Sequence, residues 1–301
     1  MRIGIDLGGT KIEAVVMDPA GRVLHRVRRP TPQGDYRGTI DSIANLVELL
    51  DSQVGQSCRI GIGTPGAWDL SKNVMKNCNS TWLNGQALIP DIEQRISRPV
   101  TVANDANCFA LAEAISGSGK DDSVVFGVIL GTGVGGGWVI NDDLIVGPNA
   151  ISGEWGHTPM PYVHSFSIGQ GKNELRQERA CYCGKINCIE RFLSGPGLSE
   201  THEILTGKVR TAEQLVVEDD GYMSVTLYID MLAQALAQIV NIMDPNVIVL
   251  GGGLSNIPRI YEEVPELIHR YAFTSDGATK LRKAVHGDSA GVIGAAWLNS
   301  A

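Results

Sequence analysis

Short apolar runs, each ended by glycine or by a polar turn, recur along this chain. Apolar runs of about four to eight residues between turn signals predict buried strands, and apolar residues at helical spacing predict helices. The predicted strands are residues 3–7, 12–16, 23–27, 59–63, 100–103, 123–130, 138–140 and 247–250. The predicted helices are residues 39–50, 89–96, 106–116, 212–217, 223–243, 261–271 and 292–298. Strands and helices are thus expected along almost the whole chain.

Two glycine-rich turns, residues 6–11 and 131–137, are each flanked by apolar strand patterns. A P-loop leads from a strand into a helix, whereas a strand pattern follows each of these turns. Both turns are therefore predicted to close β-hairpins. Each can be a plain tight turn, but a triphosphate can also lie between two such hairpins, because glycine lets backbone N–H groups approach an anion. The candidate phosphate contacts are Gly8, Gly9, Thr10, Lys11, Gly131, Thr132, Gly133 and Gly135. Asp6 is the candidate residue to hold Mg²⁺ through water.

Three further predicted strands end in candidate residues, at the edge where α/β sheets place their ligands. One strand ends at Asn104 and Asp105. A carboxylate that opens a helix is well placed for catalysis, although an aspartate there also serves as an N-cap. A second strand ends in a sharp loop that contains Gly66. A third ends in a glycine run, where Gly252 and Gly253 leave room for a flat adenine ring.

Two polar stretches carry weaker signals. Residues 76–85 are rich in turn residues, and Asn79 is a candidate to hydrogen-bond a sugar, although a surface loop is the better interpretation on spacing alone. Residues 162–179 show no clear period and are interpreted as a mobile flap.

A group of candidate metal ligands lies between Glu154 and Glu190. His157 is followed by Cys181, Cys183 and Cys188, the ligand types that Zn²⁺ prefers. Buried thiols and disulfides are the alternatives, but the thiols are spaced too densely for a core, and the absence of a signal peptide favours a reducing compartment. A closed set of one histidine and three cysteines predicts a structural zinc site. Such a site would fix the two flanking carboxylates in one place.

Composition limits the classes of protein that remain. The chain has 301 residues, 43% of them hydrophobic, which fits a globular α/β protein of two domains. A formal net charge of -8 disfavours nucleic acid and anionic membranes as partners. No apolar run reaches the roughly 18 residues of a membrane span, and the first residues lack a signal sequence pattern. A cytoplasmic protein is therefore expected.

Taken together, these motifs resemble the ROK family of sugar kinases, within the superfamily of hexokinase, actin and the heat-shock ATPases. The resemblance covers essentially the whole chain. It implies an actin-like (ribonuclease H-like) ATPase fold of two α/β lobes with an interlobe cleft. The first lobe would be residues 1–118, with the C-terminal helix 286–301 packing back on it. The second lobe would be residues 119–285 and would carry the stretch from Glu154 to Glu190 with the predicted zinc ligands, the zinc segment. A homodimer is a further expectation from the family.

The resemblance also implies roles for the candidate residues. Asp105 would be the general base, and ATP with Mg²⁺ would bind at the glycine turns and at Gly252 and Gly253. The expected sugar contacts are Gly66, Asn79, Asn104, Asp105, Glu154, His157 and Glu190. Asn187 stands where relatives usually have glycine before the last cysteine. Asparagine also tolerates left-handed backbone, so the local turn is expected to survive.

Within the family, residues 77–85 favour a bacterial fructokinase or mannokinase, so fructose is the expected substrate, with mannose or glucose as further hexoses. An N-acetylhexosamine kinase, for N-acetylglucosamine or N-acetylmannosamine, is the first alternative. A ROK repressor that binds sugar without phosphorylating it is the second, but its N-terminal helix-turn-helix would have to precede the first glycine turn. A chaperone-like or cytoskeletal ATPase is disfavoured by the zinc segment.

Overall fold

A computed structural model describes residues 1–161, 165–168, 171–174, 178–217 and 221–298. The chain forms two compact units. The first unit comprises Met1–Ser123, Gly137–Gly153 and Val285–Ala301, and the second comprises Val124–Gly136 and Glu154–Ala284. The predicted lobe boundaries, at residues 118 and 285, stay a prediction.

Groups of strands are interspersed with helices along the described chain. The strands are β1 (Arg2–Leu7), β2 (Lys11–Met17), β3 (Val23–Pro30), β4 (Arg59–Thr64), β5 (Ala67–Asp69), β6 (Val74–Lys76), β7 (Val100–Asn104), β8 (Val124–Leu130), β9 (Val134–Ile140), β10 (Asp143–Ile145), β11 (Ser165–Ile168), β12 (Gly171–Glu174), β13 (Val247–Gly251) and β14 (Lys280–Lys283). The helices are α1 (Tyr36–Val54), α2 (Leu88–Ile96), α3 (Asp105–Ser116), α4 (Glu190–Leu193), α5 (Gly195–Thr206), α6 (Ala212–Val217), α7 (Tyr222–Met243), α8 (Pro258–Tyr271) and α9 (Ala290–Trp297).

The first unit is built on a five-stranded sheet with the order β3-β2-β1-β4-β7. β1 is antiparallel to β2 and parallel to β4, and β4 is parallel to β7. Ile3 and Ile5 of β1 are fully buried against Ile43 and Leu50 of α1, which belong to the same apolar cluster. The parallel strands of this sheet therefore end at one edge, where Thr64 and Asn104 stand side by side in the register.

The helix α9 packs against β1 and α3 at glycine contacts. A Cβ atom on Gly4 would lie 2.1 Å from the carbonyl oxygen of Val292, and one on Gly294 would lie 1.7 Å from that of Cys108. Only glycine allows backbones to approach this closely. The two glycines thus hold α9 directly on the sheet and on the helix that begins at Asp105.

A buried carboxylate fixes the segment that leads into α9. Glu113 of α3 is fully buried, and its side chain accepts hydrogen bonds from the backbone N–H groups of Ser118, Val285 and His286, at distances of 2.9 to 3.1 Å for the closest contacts. His286 Nε2 also lies 3.0 Å from Ser116 Oγ. These bonds satisfy a charge that would otherwise be costly to bury.

The second unit contains the parallel strands β8, β13 and β14, with β13 in the middle. Its longest helix, α7, is the one described helix that is long and apolar enough to cross a membrane, with a mean hydropathy of 1.4 over an 18-residue window. However, 72% of that window is buried inside the fold. Burial of this extent is typical of a core helix.

Most predicted elements are confirmed, but several short strands were missed, and α4 and α5 were not predicted as separate helices. The prediction missed β5, β6, β10 and β14, because strands of three or four residues with charged positions show no apolar alternation. The interpretation of residues 162–179 as a flap falls partly outside the described residues. Within them, β11 and β12 form an antiparallel pair.

Candidate functional site

The first glycine turn closes the β1–β2 hairpin, as predicted. Leu7 pairs with Ile12, and the backbone N–H of Gly8 donates to the carbonyl oxygen of Lys11 at 3.0 Å. A Cβ atom on Gly8 would lie 2.8 Å from that same oxygen, so a larger residue would force the turn apart. Thr31 Oγ1 donates to the Gly8 carbonyl oxygen at 2.7 Å and holds the turn from outside. Thr10 and Lys11 complete this turn.

Asp6, at the end of β1, has an unusual carboxyl group. Burial, followed by the charges of Asp105 and Glu13, raises its pKa from 3.8 to about 6. A Cβ atom on Gly291 of α9 would lie 3.3 Å from Asp6 Oδ2, so glycine leaves room for the carboxylate. A buried carboxylate beside a second carboxylate is stabilised by a cation. Asp6 and Asp105 therefore fit an Mg²⁺ ion by charge.

Asp105 is the first residue of α3, immediately after β7. Its Oδ1 accepts from the Ala106 N–H at 2.8 Å, while Asn104 Oδ1 accepts from the Asn107 N–H at 2.8 Å. The N-cap of α3 is thus Asn104, and the alternative that Asp105 serves as the cap is wrong. The Asp105 side chain reaches solvent, yet the protein atoms around it desolvate the carboxyl group and raise its pKa. A raised pKa suits a residue that must accept a proton.

Gly66 and Asn79 lie on neighbouring loops of the first unit. The N–H of Asn79 donates to the carbonyl oxygen of Pro65 at 3.3 Å, and a Cβ atom on Gly66 would lie 2.6 Å from Cys78 Sγ. Asn79 itself is exposed, whereas its neighbours Cys78 and Ser80 are buried. The stretch is therefore a packed loop that presents the Asn79 side chain outwards.

The second glycine turn is bound to the zinc segment inside the second unit. Gly131 N–H donates to the Gly133 carbonyl oxygen at 3.0 Å across the turn. Glu190 Oε2 accepts from the N–H of Val134 at 2.9 Å, and Trp155 Nε1 donates to the Gly135 carbonyl oxygen at 2.9 Å. Thr132 lies within this turn. Residues on both sides of the three cysteines thus hold the turn in place.

Gly252 lies against the end of β8. Its φ of 83° is in the left-handed region, and a Cβ atom there would lie 2.3 Å from the Leu130 carbonyl oxygen. Glycine is therefore required, and the backbone at Gly252 and Gly253 stays open above the strand end.

The predicted zinc ligands come together. One ligand atom each of His157, Cys181, Cys183 and Cys188 lies within 4.8 Å of all the others. Cys181 Sγ is 3.6 Å from His157 Nδ1, and Cys183 Sγ is 3.6 Å from Cys188 Sγ. Ligand bonds of about 2.3 Å in a tetrahedron place the ligand atoms about 3.8 Å apart. The four residues therefore fit a closed zinc site, with Nδ1 as the ligand atom of the histidine.

The zinc segment is closed by two left-handed residues. Gly184 has a φ of 85°, and Asn187 has a φ of 56°, so the expectation that asparagine tolerates this backbone is confirmed. The Asn187 N–H donates to the Arg179 carbonyl oxygen, and Arg179 N–H donates to Asn187 Oδ1, both at 2.9 Å. Asparagine thus closes the loop with its side chain as well as its backbone.

Arg179 is a buried anchor that the sequence analysis missed. It is 2% exposed, stacks on the ring of Phe192, and donates to the carbonyl oxygens of Arg191 and Gly197 and to Thr201 Oγ1. Burial lowers its pKa to about 10. It ties the zinc segment to α4, which begins at Glu190. The sequence contained no indication of this role, because a single arginine in a stretch without hydrophobic periodicity belongs to no recognisable pattern.

The second residue missed is Tyr182, between two of the cysteines. Its hydroxyl lies 2.9 Å from His157 Nε2, the ring nitrogen opposite the one that faces Cys181. Although 80% of the residue is exposed, its hydroxyl end lies against the imidazole. Desolvation there, followed by the charges of Glu190 and Glu154, raises its pKa to about 12.

The predicted site residues are divided between the two units. The first unit contains Asp6, Gly8, Gly9, Thr10, Lys11, Gly66, Asn79, Asn104 and Asp105. The second contains Gly131, Thr132, Gly133, Gly135, Glu154, His157, Cys181, Cys183, Cys188, Glu190, Gly252 and Gly253.

Comparison with known proteins identifies the class. The model of the ROK family matches residues 2–301, and the chain belongs to this family. It is 38% identical to an "N-acetyl-D-glucosamine kinase" of Vibrio atlanticus and 38% identical to that of Vibrio parahaemolyticus, over 99% of both chains in each case. A ROK hexokinase of Thermus thermophilus has a TM-score of 0.85 at 30% identity, covering 99% of this chain and 97% of its own. The actin-like α/β fold class is therefore confirmed.

These relatives contradict the expectation of a fructokinase. The two Vibrio relatives are named for an acetylated sugar and match over 99% of both chains. The stretch that favoured fructokinase, residues 77–85, contains buried residues such as Cys78, Ser80 and Leu83. The similarity of this stretch to fructokinases therefore partly reflects local packing. So short a stretch could not identify the sugar.

Proposed function

We propose that this protein is an ATP-dependent kinase of an N-acetylhexosamine, with N-acetylglucosamine as the first candidate. The observation that carries the proposal is the full-length similarity to the Vibrio kinases, at 38% identity over 99% of both chains. The motifs support the same class of reaction, because two glycine turns and a carboxylate with a raised pKa are what phosphoryl transfer needs from a protein.

Asp105 is the general base in this proposal. It accepts the proton of a sugar hydroxyl while that oxygen attacks the γ-phosphorus in line. The bond between the γ-phosphorus and the bridging oxygen breaks, and ADP leaves with the electron pair. The protein contributes mainly by positioning the reactants and neutralising charge. The 6-hydroxyl is the proposed acceptor by family resemblance.

Sugar recognition is assigned to the polar residues among the predicted site residues. Glu154, Glu190 and the Nε2 side of His157 bind sugar hydroxyls, since charged acceptors and imidazole suit such groups. Asn104 and Asn79 add amide contacts. Gly66 is assigned a backbone contact, and glycine is needed at this position because a side chain there would collide with Cys78.

The nucleotide binds through the glycine turns, whose backbone N–H groups suit phosphate oxygens. Lys11 and Thr10 add a cation and a hydroxyl, and Gly252 and Gly253 accept the adenine ring. Mg²⁺ supplies charge neutralisation when bound with ATP, and the raised pKa of Asp6 supports this residue as its partner. Zinc, held by His157 and the three cysteines, has a structural role in this proposal, because four protein ligands leave no open position.

The test is a coupled ADP-release assay with Mg-ATP and zinc-replete protein. The panel contains N-acetylglucosamine, N-acetylmannosamine, fructose, mannose and glucose. Turnover highest on N-acetylglucosamine is the expected result. Turnover confined to the sugars without an acetyl group would contradict the proposed substrate, and no turnover on any sugar would contradict the kinase. A homodimer and a cytoplasmic location belong to the same proposal, and gel filtration tests the first.

A further inference from the structure

The backbone at Tyr182 is fixed on both sides. Its two neighbours, Cys181 and Cys183, are members of the metal-ligand cluster. The turn around it is closed by hydrogen bonds from the Cys181 N–H to the Lys185 carbonyl oxygen at 2.9 Å and from the Gly184 N–H to the Cys181 carbonyl oxygen at 3.0 Å. Tyr182 can therefore change its position mainly by rotation of its side chain.

The side chain of Tyr182, in contrast, packs against the ring of His157. The two rings meet edge to face, with centroids 5.1 Å apart and an angle of 88° between their planes. The hydroxyl lies 2.9 Å from His157 Nε2. Since 80% of Tyr182 is exposed, rotating the ring into solvent displaces few packed atoms.

An imidazole that binds a metal through one ring nitrogen carries its proton on the other ring nitrogen. Nδ1 faces Cys181 Sγ at 3.6 Å, so a zinc ion held by the cluster would take Nδ1 and leave the proton on Nε2, which would then donate to the Tyr182 hydroxyl. A sugar hydroxyl that binds His157 must use the same N–H group. The tyrosine and the sugar are therefore alternatives at this nitrogen.

We propose that Tyr182 is a displaceable cap on His157, and that a bound sugar hydroxyl replaces the tyrosine hydroxyl at Nε2. This inference rests on the proposed function only in taking His157 as a sugar contact, and it does not depend on which sugar binds. Because the sugar gains one hydrogen bond only after another is lost, the cap weakens sugar binding. Tyr182 thereby sets the affinity for the sugar.

The test compares Tyr182→Phe with the wild type. Phenylalanine keeps the ring but removes the competing hydroxyl. The expected result is a Kd for the sugar, measured by calorimetry without ATP, that is about 2- to 10-fold lower, the effect of removing one neutral hydrogen bond. KM should fall in parallel, and zinc content, measured by mass spectrometry, should be unchanged. Tyr222→Phe is the matched control, since Tyr222 is also exposed, at 65%, and packs against Arg259 away from the cluster.

Each other outcome is decisive. An unchanged or raised Kd would overturn the cap, because the hydroxyl would then be neutral or would itself help to bind the sugar. Loss of zinc from Tyr182→Phe would also overturn it, since the tyrosine would then support the metal ligand. If the wild type binds only sugars without an acetyl group, the proposed substrate fails while the cap is tested with those sugars. If neither protein binds any sugar, both proposals fail.

Discussion

Glu190 Oε2 accepts a hydrogen bond from the backbone N–H of Val134 at 2.9 Å. This bond joins the residue two positions after the last cysteine of the zinc segment to the end of the second glycine turn. A Cβ atom on Gly133 would lie 2.8 Å from the same oxygen, so the carboxylate lies directly against the turn. Under the proposed function, Glu190 therefore has two roles: it binds the sugar, and it holds the turn that is assigned to phosphate.

Substitutions at Glu190 should separate these two roles. Glu190→Ala leaves the Val134 N–H without its acceptor, so the KM values for ATP and for the sugar should both rise, each by about 5-fold or more. Glu190→Gln keeps an acceptor for Val134 but loses the charge, so mainly the KM for the sugar should rise. Steady-state kinetics with each substrate varied in turn measures this. Equal effects of the two variants on the KM for ATP would contradict the role at the glycine turn.

Asp105→Asn should abolish most turnover. The amide cannot accept the proton of the attacking hydroxyl, and general-base catalysis contributes about 10²- to 10⁴-fold, so kcat should fall by that factor. The Kd for the sugar should change less, because asparagine retains polar contacts of similar shape. Asp121→Asn is the matched control, since Asp121 is exposed and its φ of 73° is one that asparagine tolerates. Near-normal kcat in Asp105→Asn would exclude Asp105 as the base.

The parts of the site that follow each other in the sequence could be predicted. The first hairpin, the strand end at Asn104 and Asp105, and the four predicted metal ligands all carry local signals of spacing or residue type, and the structure brings the members of each together. The hydrogen bonds that fix them could not be predicted. Glu113 meets Val285 across 172 positions of the chain, and no local pattern relates two residues so far apart.

The substrate illustrates a different limit. Residues 77–85 favour a fructokinase through their resemblance to that subgroup, but part of that stretch is buried and serves packing. Tyr182 gave no signal either, because a residue between two cysteines can point in any direction until the loop is folded. The sugar preference of a kinase depends on a few side-chain contacts, whereas the fold depends on many apolar positions. The family was therefore predictable and the sugar was not.

Zinc removal should abolish sugar binding. Cys183→Ser deletes one of four ligands at an exposed position, so zinc should be lost while most of the fold remains. Without the metal, the segment between Glu154 and Glu190 loses its closure, and the Kd for the sugar should rise at least 10-fold. Mass spectrometry gives the zinc content, circular dichroism the fold, and calorimetry the Kd. Cys58→Ala, a buried cysteine outside the cluster, serves as the control. A folded, zinc-free variant with wild-type sugar affinity would refute the structural role of the metal.

Asp6 should make the protein less stable at neutral pH when Mg²⁺ is absent. Its pKa is raised from 3.8 to about 6, so the folded state holds the proton more tightly than the unfolded chain. The sign of the effect follows: stability is lost as pH rises from about 4 through about 6, and the full loss, about 3 kcal/mol at most, is present above that window. Asp6→Asn removes the charge. Its Tm should equal that of the wild type near pH 4 and exceed it at pH 7.5.

The same pair of proteins tests the cation. Mg²⁺ should raise the Tm of the wild type at pH 7.5, because a cation beside Asp6 and Asp105 offsets their charge, and it should raise that of Asp6→Asn less. Differential scanning fluorimetry measures both effects, with the exposed Asp276→Asn as the control for a simple loss of charge. If Asp6→Asn and the wild type keep the same difference in Tm at both pH values, the pKa of Asp6 is not raised in the folded protein, and the case for Asp6 as the magnesium partner fails with it.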